Sequence, residues 1–278
     1  MTYQGIDTAA RITAAQAKKL KAEGVSFVGR YLVPEAYSKS VTAQEIEALR
    51  AADLAILLVW EIGAQAIKGG APQGAMDGAR ARELAEKFGI PSGTCIYFAC
   101  DYNIQANDLI LAEQYIKAAQ ASLGKYEAGL YGPFTVVDFL SARKACRKFW
   151  KCVAWSPRFS ENANVRQYQW DRGPESQAMA QKCGILAVDL DACEDLHGAG
   201  LWMLNVKVYD DGEGGTIMEN AQAPKKPWYE DAMNWAAAQG IIKDGRPNDP
   251  GTRAELATVL FRIHGPRDNK KDSEMLSE

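Results

Sequence analysis

The chain predicts an α/β fold: an irregular eight-stranded barrel followed by a small C-terminal all-α domain. Apolar runs of strand length alternate with helical patterns through the first half, as strand-helix units do. One of these runs, Thr94 to Asn103, is almost wholly apolar until it meets Asp101, and a helical pattern from about Ala106 to Leu123 follows at once. After Trp202 the composition turns polar, acidic and Gly-rich before a second helical pattern begins at Pro227.

Taken in order, the first strand is Tyr3 to Asp7, and the helix after it has Thr13 as its cap and Gly24 as its stop. Val25 to Leu32 is the second strand. Thr42 and Glu45 have capping-box spacing and open a helix to Ala52. The third strand, Leu54 to Trp60, is apolar on both faces and ends in Glu61. A Gly-rich turn at Gly69, Gly70 and Gly74 leads to a helix from Ala75 to Phe88, and the Thr94 stretch is the fourth strand. Ala128 to Tyr131 is the fifth, with a helix from Phe134 to Lys144. Strands six, seven and eight are expected at Cys152 to Trp155, Val165 to Trp170 and Gly184 to Asp191. The last spacings are short, so their connections are expected to be loops or turns. Five strand-helix units and three strands then close the barrel.

Composition narrows the function. A net charge of −3 gives no basic face for nucleic acid, and no apolar run approaches membrane-spanning length. The start MTYQGIDTAARITAAQ has neither the basic nor the apolar region of a signal peptide, which predicts synthesis in the cytoplasm. Six cysteines are scattered without a C-x-x-C pair and are expected to be buried thiols. Cys193 and His197 make half of a metal spacing in a chain with two histidines, so neither a metal nor another cofactor is expected.

The strand ends carry the chemistry. They are Asp7, Arg30 with Tyr31, Glu61, Asp101 with Asn103, Tyr131, Trp155, Gln169 with Trp170, and Asp189 with Asp191. In strand-helix barrels that rim is the binding face. Carboxylates can move protons or stabilise an oxocarbenium ion, and flat rings stack on sugars, so carbohydrate is the predicted substrate class. Any single strand-end acid has a plainer explanation as a helix cap or a solvated loop charge. Glu61, following Ala55-Ile-Leu-Leu-Val-Trp60, is expected to meet apolar walls that suit it to act as an acid. Arg30 is expected to pair with one of the rim carboxylates.

Gly5-Ile6-Asp7, Tyr97-Phe98-Ala99-Cys100-Asp101-Tyr102, Gly129-Leu130-Tyr131-Gly132, Gln167-Tyr168-Gln169-Trp170 and Val188-Asp189-Leu190-Asp191 resemble, as an ordered set over residues 3 to 203, the glycoside-hydrolase-like domain of unknown function family 1906. That family is similar in turn to the family 25 lysozymes. The resemblance implies an irregular barrel that cleaves the β-1,4 bond after N-acetylmuramic acid in peptidoglycan. One position departs: the lysozymes carry a proton-donating Glu two residues after the aspartate matched by Asp101, and here Asn103 stands there. An amide donates no catalytic proton. Glu61 is the expected substitute, with Asp101, Asp7 and Asp189 as the other catalytic carboxylates and Asp101 with Asn103 polarising the 2-acetamido group. Arg30, Asn103, Tyr131, Trp155, Gln169, Trp170 and Asp191 are the expected substrate contacts. The alternative is a barrel that binds glycan and cuts nothing.

Four segments are expected: a barrel over 1–205, a linker over 206–226, a helical module over 227–266 and a flexible tail over 267–278. Within the module, Pro227-Trp228-Tyr229 to Gly245 and Thr252-Arg253-Ala254-Glu255 onward resemble a single S-layer-homology repeat. That resemblance implies anchoring on a Gram-positive secondary cell-wall polymer, with homo-oligomers completing the site. A wall-cutting barrel beside a wall-binding module implies an endolysin of phage or prophage type, made in the cytoplasm and acting at the wall after release.

Overall fold

The computed structural model describes residues 2–203 except 157, and two further strands at 206–210 and 216–220. Eight apolar runs form strands: β1 (Tyr3–Asp7), β2 (Val25–Tyr31), β3 (Ala55–Trp60), β4 (Cys95–Ala99), β5 (Glu127–Gly132), β6 (Lys148–Lys151), β7 (Val165–Gln169) and β8 (Asp189–Cys193). They close in sequence order into a single barrel. Between the first six lie α1 (Ala14–Ala22), α2 (Ala43–Ala51), α3 (Gly70–Lys87), α4 (Leu109–Ser122) and α5 (Phe134–Ala142), the five strand-helix units expected.

Alternation along the strands divides the core in two. Ile56, Leu58, Trp60, Ile96 and Phe98 pack against the helices. Their neighbours Phe27, Leu57, Val59, Tyr97 and Trp150 fill the barrel interior. All six cysteines are unpaired, and five of them are buried.

The final quarter departs from expectation in three ways. The sixth strand begins earlier, because Phe149 and Trp150 supply its buried pair, and the stretch from Cys152 to Trp155 is the loop above it. β7 and β8 are joined by a ten-residue helix, α6 (Pro174–Cys183). Pro174 in its first turn and Gly184 at its end, with φ 71°, are ordinary start and stop signals. Gly184 therefore ends a helix and does not begin a strand. The third departure is direction. β1 to β7 run parallel to one another, whereas β8 is antiparallel to both β7 and β1.

Two local expectations also change. Thr42 accepts from the Glu45 amide, but the Glu45 carboxylate does not return the bond, being held by Arg30 and the Ile12 amide. The expected turn at Gly70 and Gly74 is the opening of α3. There the missing side chains let α3 press onto α4: a methyl group at Gly78 would lie 2.5 Å from the Ala119 carbonyl oxygen, and one at Gly74 would overlap the Tyr115 carbonyl. Gly74→Ala is therefore expected to cost ~1–3 kcal/mol through overpacking despite the better helix propensity of alanine, measurable by urea denaturation.

Clustering of backbone contacts divides the chain after Asn205. Part of the expected linker is ordered as a two-stranded antiparallel sheet, β9 (Val206–Asp210) with β10 (Thr216–Asn220). The acidic, Gly-rich run at 211–215 connects those strands. The S-layer-homology-like segment at 227–266 and the tail at 267–278 lie outside the described residues.

Candidate active site

The parallel strands aim their C-terminal ends at one rim. Asp189 and Asp191 reach it differently from the sequence expectation. Asp189 begins β8, and because that strand is antiparallel, its start pairs with the end of β1, Asp7 opposite Asp189. The reversal brings the two carboxylates side by side. Gly29 of β2 lies opposite Asp7 on the other flank, where a methyl group would stand 2.5 Å from the Asp7 Cβ.

Gln167 on β7 joins the pair. Its Nε2 donates to Asp7 Oδ2 and to Asp189 Oδ2, both at 2.8 Å, while its Oε1 accepts from the Val153 amide at 3.0 Å. Beneath them Asp191 is fully buried and accepts from Trp150 Nε1 at 2.8 Å. Its other oxygen meets no donor in the surrounding structure. Burial and the negative charge of Asp7 push Asp191 well above the ordinary carboxyl range, which favours its protonated form. In that form the unpartnered oxygen is itself a donor and needs none from the protein.

The same forces act on the other two. Burial raises Asp7 to about 6 against the opposing hydrogen bonds from Gln167 and Asp191, and burial with repulsion from Asp7 raises Asp189 to about 7. Two neighbouring carboxyls thus titrate as a coupled pair around neutrality, one able to hold a proton while the other is ionised.

Above the pair opens a cavity of about 640 Å³ whose walls include Asp7, Asp101, Asp189, Tyr31, Tyr131, Trp155 and Trp170. Trp155 follows β6 in the left-handed region at φ 65°, unusual for so large a side chain, and its Nε1 donates to Asp101 Oδ1 at 3.2 Å. Trp155 and Trp170 are each about half exposed, offering ring faces at the cavity mouth. Among the described residues, no three His, Cys, Asp or Glu side chains converge as a metal site requires.

Several expected site residues lie elsewhere. Glu61 is paired with Lys39 at 2.9 Å and is absent from the cavity wall. Arg30 is fully buried, and its partner is Glu45 on α2, at 2.7 Å, in place of a rim carboxylate. Gln169 accepts from the Ser176 amide at 2.7 Å in the first turn of α6. Asn103 is exposed and outside the cavity wall. Gln167, Tyr31 and Asp171 line the cavity without having been singled out as contacts. For Gln167 the signal was period two: β7 shifts register between Gln167 and Gln169, so only the former keeps the inward direction.

A closed barrel with clustered carboxylates and ring faces at one rim is a glycoside-hydrolase-like architecture. The chain belongs to the Rv2525c-like, glycoside hydrolase-like domain family, whose model matches residues 18–195. It is 28% identical to FadG of Bacillus subtilis over 278 residues, covering 95% of this chain and 46% of FadG. Over 152 residues it is 34% identical to YbfG of the same organism, covering 48% of this chain and 20% of YbfG. The chain thus spans less than half the length of either relative. Its fold is similar to that of the Tat-secreted protein Rv2525c of Mycobacterium tuberculosis, solved with L-tartrate, with a TM-score of 0.60 at 21% identity over 72% of this chain and 98% of that one.

Proposed function

We propose that the barrel hydrolyses glycosidic bonds in peptidoglycan, with Asp189 as the proton donor and Asp7 as the ionised partner. The observation that carries this reading is the bridge of Gln167 between the carboxyl groups of Asp7 and Asp189. One amide nitrogen holding both brings them close, nearer the roughly 5 to 5.5 Å of retaining glycosidases than the ~6.5 to 9.5 Å that seats an inverting water. Asp7 then attacks the anomeric carbon or stabilises its positive charge while Asp189 protonates the leaving oxygen, and a water that gives its proton back to Asp189 takes up the glycosyl group. A proton on Asp191 would favour the Asp7 anion, opposing the burial that raises Asp7. Asp101, oriented by Trp155, faces the same cavity and is assigned to the 2-acetamido group. The rings of Tyr131, Trp155 and Trp170 provide stacking faces for the sugars.

Glu61 has no chemical step in this scheme. Glu61→Gln is expected to leave kcat/KM within about threefold, less than ~1 kcal/mol of transition-state stabilisation, in a turbidity assay on cell walls. A hundredfold loss would return the acid role to Glu61.

The reading is tested by digesting purified Gram-positive peptidoglycan and comparing new reducing ends with free amines. Reducing ends terminating in muramic acid, absent with Asp189→Asn, are the expected result. Free amines alone would make the protein an amidase or peptidase. Neither product, with sedimentation on walls retained, would make it a glycan-binding barrel. The endolysin role further requires that the segment at 227–266 retain the chain on wall polymers, which the same sedimentation measures.

A further inference from the structure

A second cavity, of about 390 Å³, adjoins the first and is lined from β1, β6, β7 and β8. Val153 and Gln167 line both cavities, so the two adjoin through these residues. Its chemistry is the opposite of its neighbour's. The first is lined by four aspartates, Asp7, Asp101, Asp171 and Asp189. The second has Lys151 and Arg166 with the rings of Phe159 and Tyr168 and no acidic residue in its lining.

Lys151 is the unusual member. It is only 5% exposed, and among the described residues no carboxylate lies within ion-pair distance of it. Its Nζ donates to the Ser156 carbonyl at 2.6 Å, leaving two of three ammonium donors for another acceptor. Arg166 lies 3.7 Å from the largely exposed Glu194 and 5.0 Å from the centre of the Phe159 ring. A buried ammonium without a counter-ion is costly, and an anion brought within hydrogen-bond distance would offset that cost. Burial also lowers the Lys151 pKa, as expected for a cation lacking a neighbouring charge.

We propose that this second cavity is an anion subsite that takes a carboxylate or phosphate carried by a glycan unit adjoining the one held in the rim cavity. The glycan part rests on the function proposed above; the anion part does not. Phe159 and Tyr168, about half exposed, supply apolar faces for the sugar or glycerol that carries the anion. Two sources share this chemistry: the lactyl carboxylate of a muramic acid whose stem peptide has been removed, and the phosphate of a wall polymer.

The test is calorimetric titration of the full chain with N-acetylmuramic acid, N-acetylglucosamine and glycerol phosphate. At least one anionic probe is expected to bind about tenfold or more tightly than N-acetylglucosamine, the effect of one charge-assisted hydrogen bond. Which anion wins identifies the source. Lys151→Met removes the advantage while leaving the melting temperature unchanged or higher, since it deletes a buried charge and keeps the volume. Arg166→Met reduces the advantage and is the second variant should the first fail to fold. Asp189→Asn keeps the anion preference while losing hydrolysis, so failure of the catalytic reading is distinguishable from failure of this one. Equal affinity for the charged and neutral sugars, or an unchanged preference in both cation variants, overturns the proposal.

Discussion

Asp189→Asn is expected to abolish hydrolysis and to make the protein more stable at the same time. The loss of activity follows from the proton: an amide cannot deliver one, and general acid catalysis contributes roughly 10²–10⁴-fold. The gain in stability follows from linkage. Burial and the charge of Asp7 raise Asp189 from an ordinary carboxyl value of 3.8 to about 7 in the folded chain. Across that interval the folded state binds more protons than the unfolded state, so stability falls as pH rises from about 4 through about 7, and the full penalty stands above it. Asparagine removes the penalty, and its carbonyl can still accept from Gln167. Melting curves of wild type and variant should therefore separate at pH 8 and converge near pH 4. Equal melting temperatures at pH 8 would mean that the carboxyl is not strained. For the wild type, kcat/KM is expected to be bell-shaped, with limbs near about 6 and about 7 that belong to the Asp7–Asp189 pair jointly.

The barrel was legible because its first five units obey local rules. Runs such as Ala55-Ile-Leu-Leu-Val-Trp60 are buried on both faces, and helix caps such as Thr13 mark where helices begin. Asp7, Asp101 and Tyr131 could be placed on the rim from strand ends alone. The last quarter was not legible in the same way. Strand direction is a non-local property, and nothing in Asp189–Cys193 itself says that it runs against β1. Asp189 was assigned to the rim as a strand end, whereas it arrives there as a strand start. The partners of Glu61 and Arg30 were illegible for a shared reason. A position beside apolar residues predicts burial, but the partner that neutralises the charge, Lys39 for one and Glu45 for the other, comes from a different element. Asp191 shows the reverse case: its motif placed it near the site, and only the packing of Trp150 beneath the pair reveals that it supports Asp7 from below.

Glu45→Ala is expected to be strongly destabilising, more so than Gly74→Ala. Glu45 Oε1 accepts from Arg30 Nε at 2.7 Å and from the Ile12 amide at 2.8 Å, and its other oxygen accepts from Arg30 Nη2 at 3.3 Å. The guanidinium also donates to the carbonyls of Thr8 and, at 3.1 Å, Lys39. Thr8 directly follows Asp7, and its hydroxyl donates to the Ala187 carbonyl at 2.6 Å, two residues before Asp189. The pair thus ties together, through Thr8, the segments next to both proposed catalytic carboxyls. Both side chains are almost wholly buried. Removing the glutamate alone strands a buried guanidinium and an amide donor, a loss of ~3–5 kcal/mol for a broken buried pair. Replacing both, as Arg30→Met with Glu45→Met, leaves no orphaned charge and should cost much less than the sum of the single variants, a coupling that a double-mutant cycle in urea measures directly. Activity should distinguish the two roles of the pair. If it only holds the fold, the double variant retains normal turnover; if it also sets the register of Asp7 against Asp189, turnover falls even where stability is restored, because the carbonyl of Thr8 has then lost the donor that fixes it.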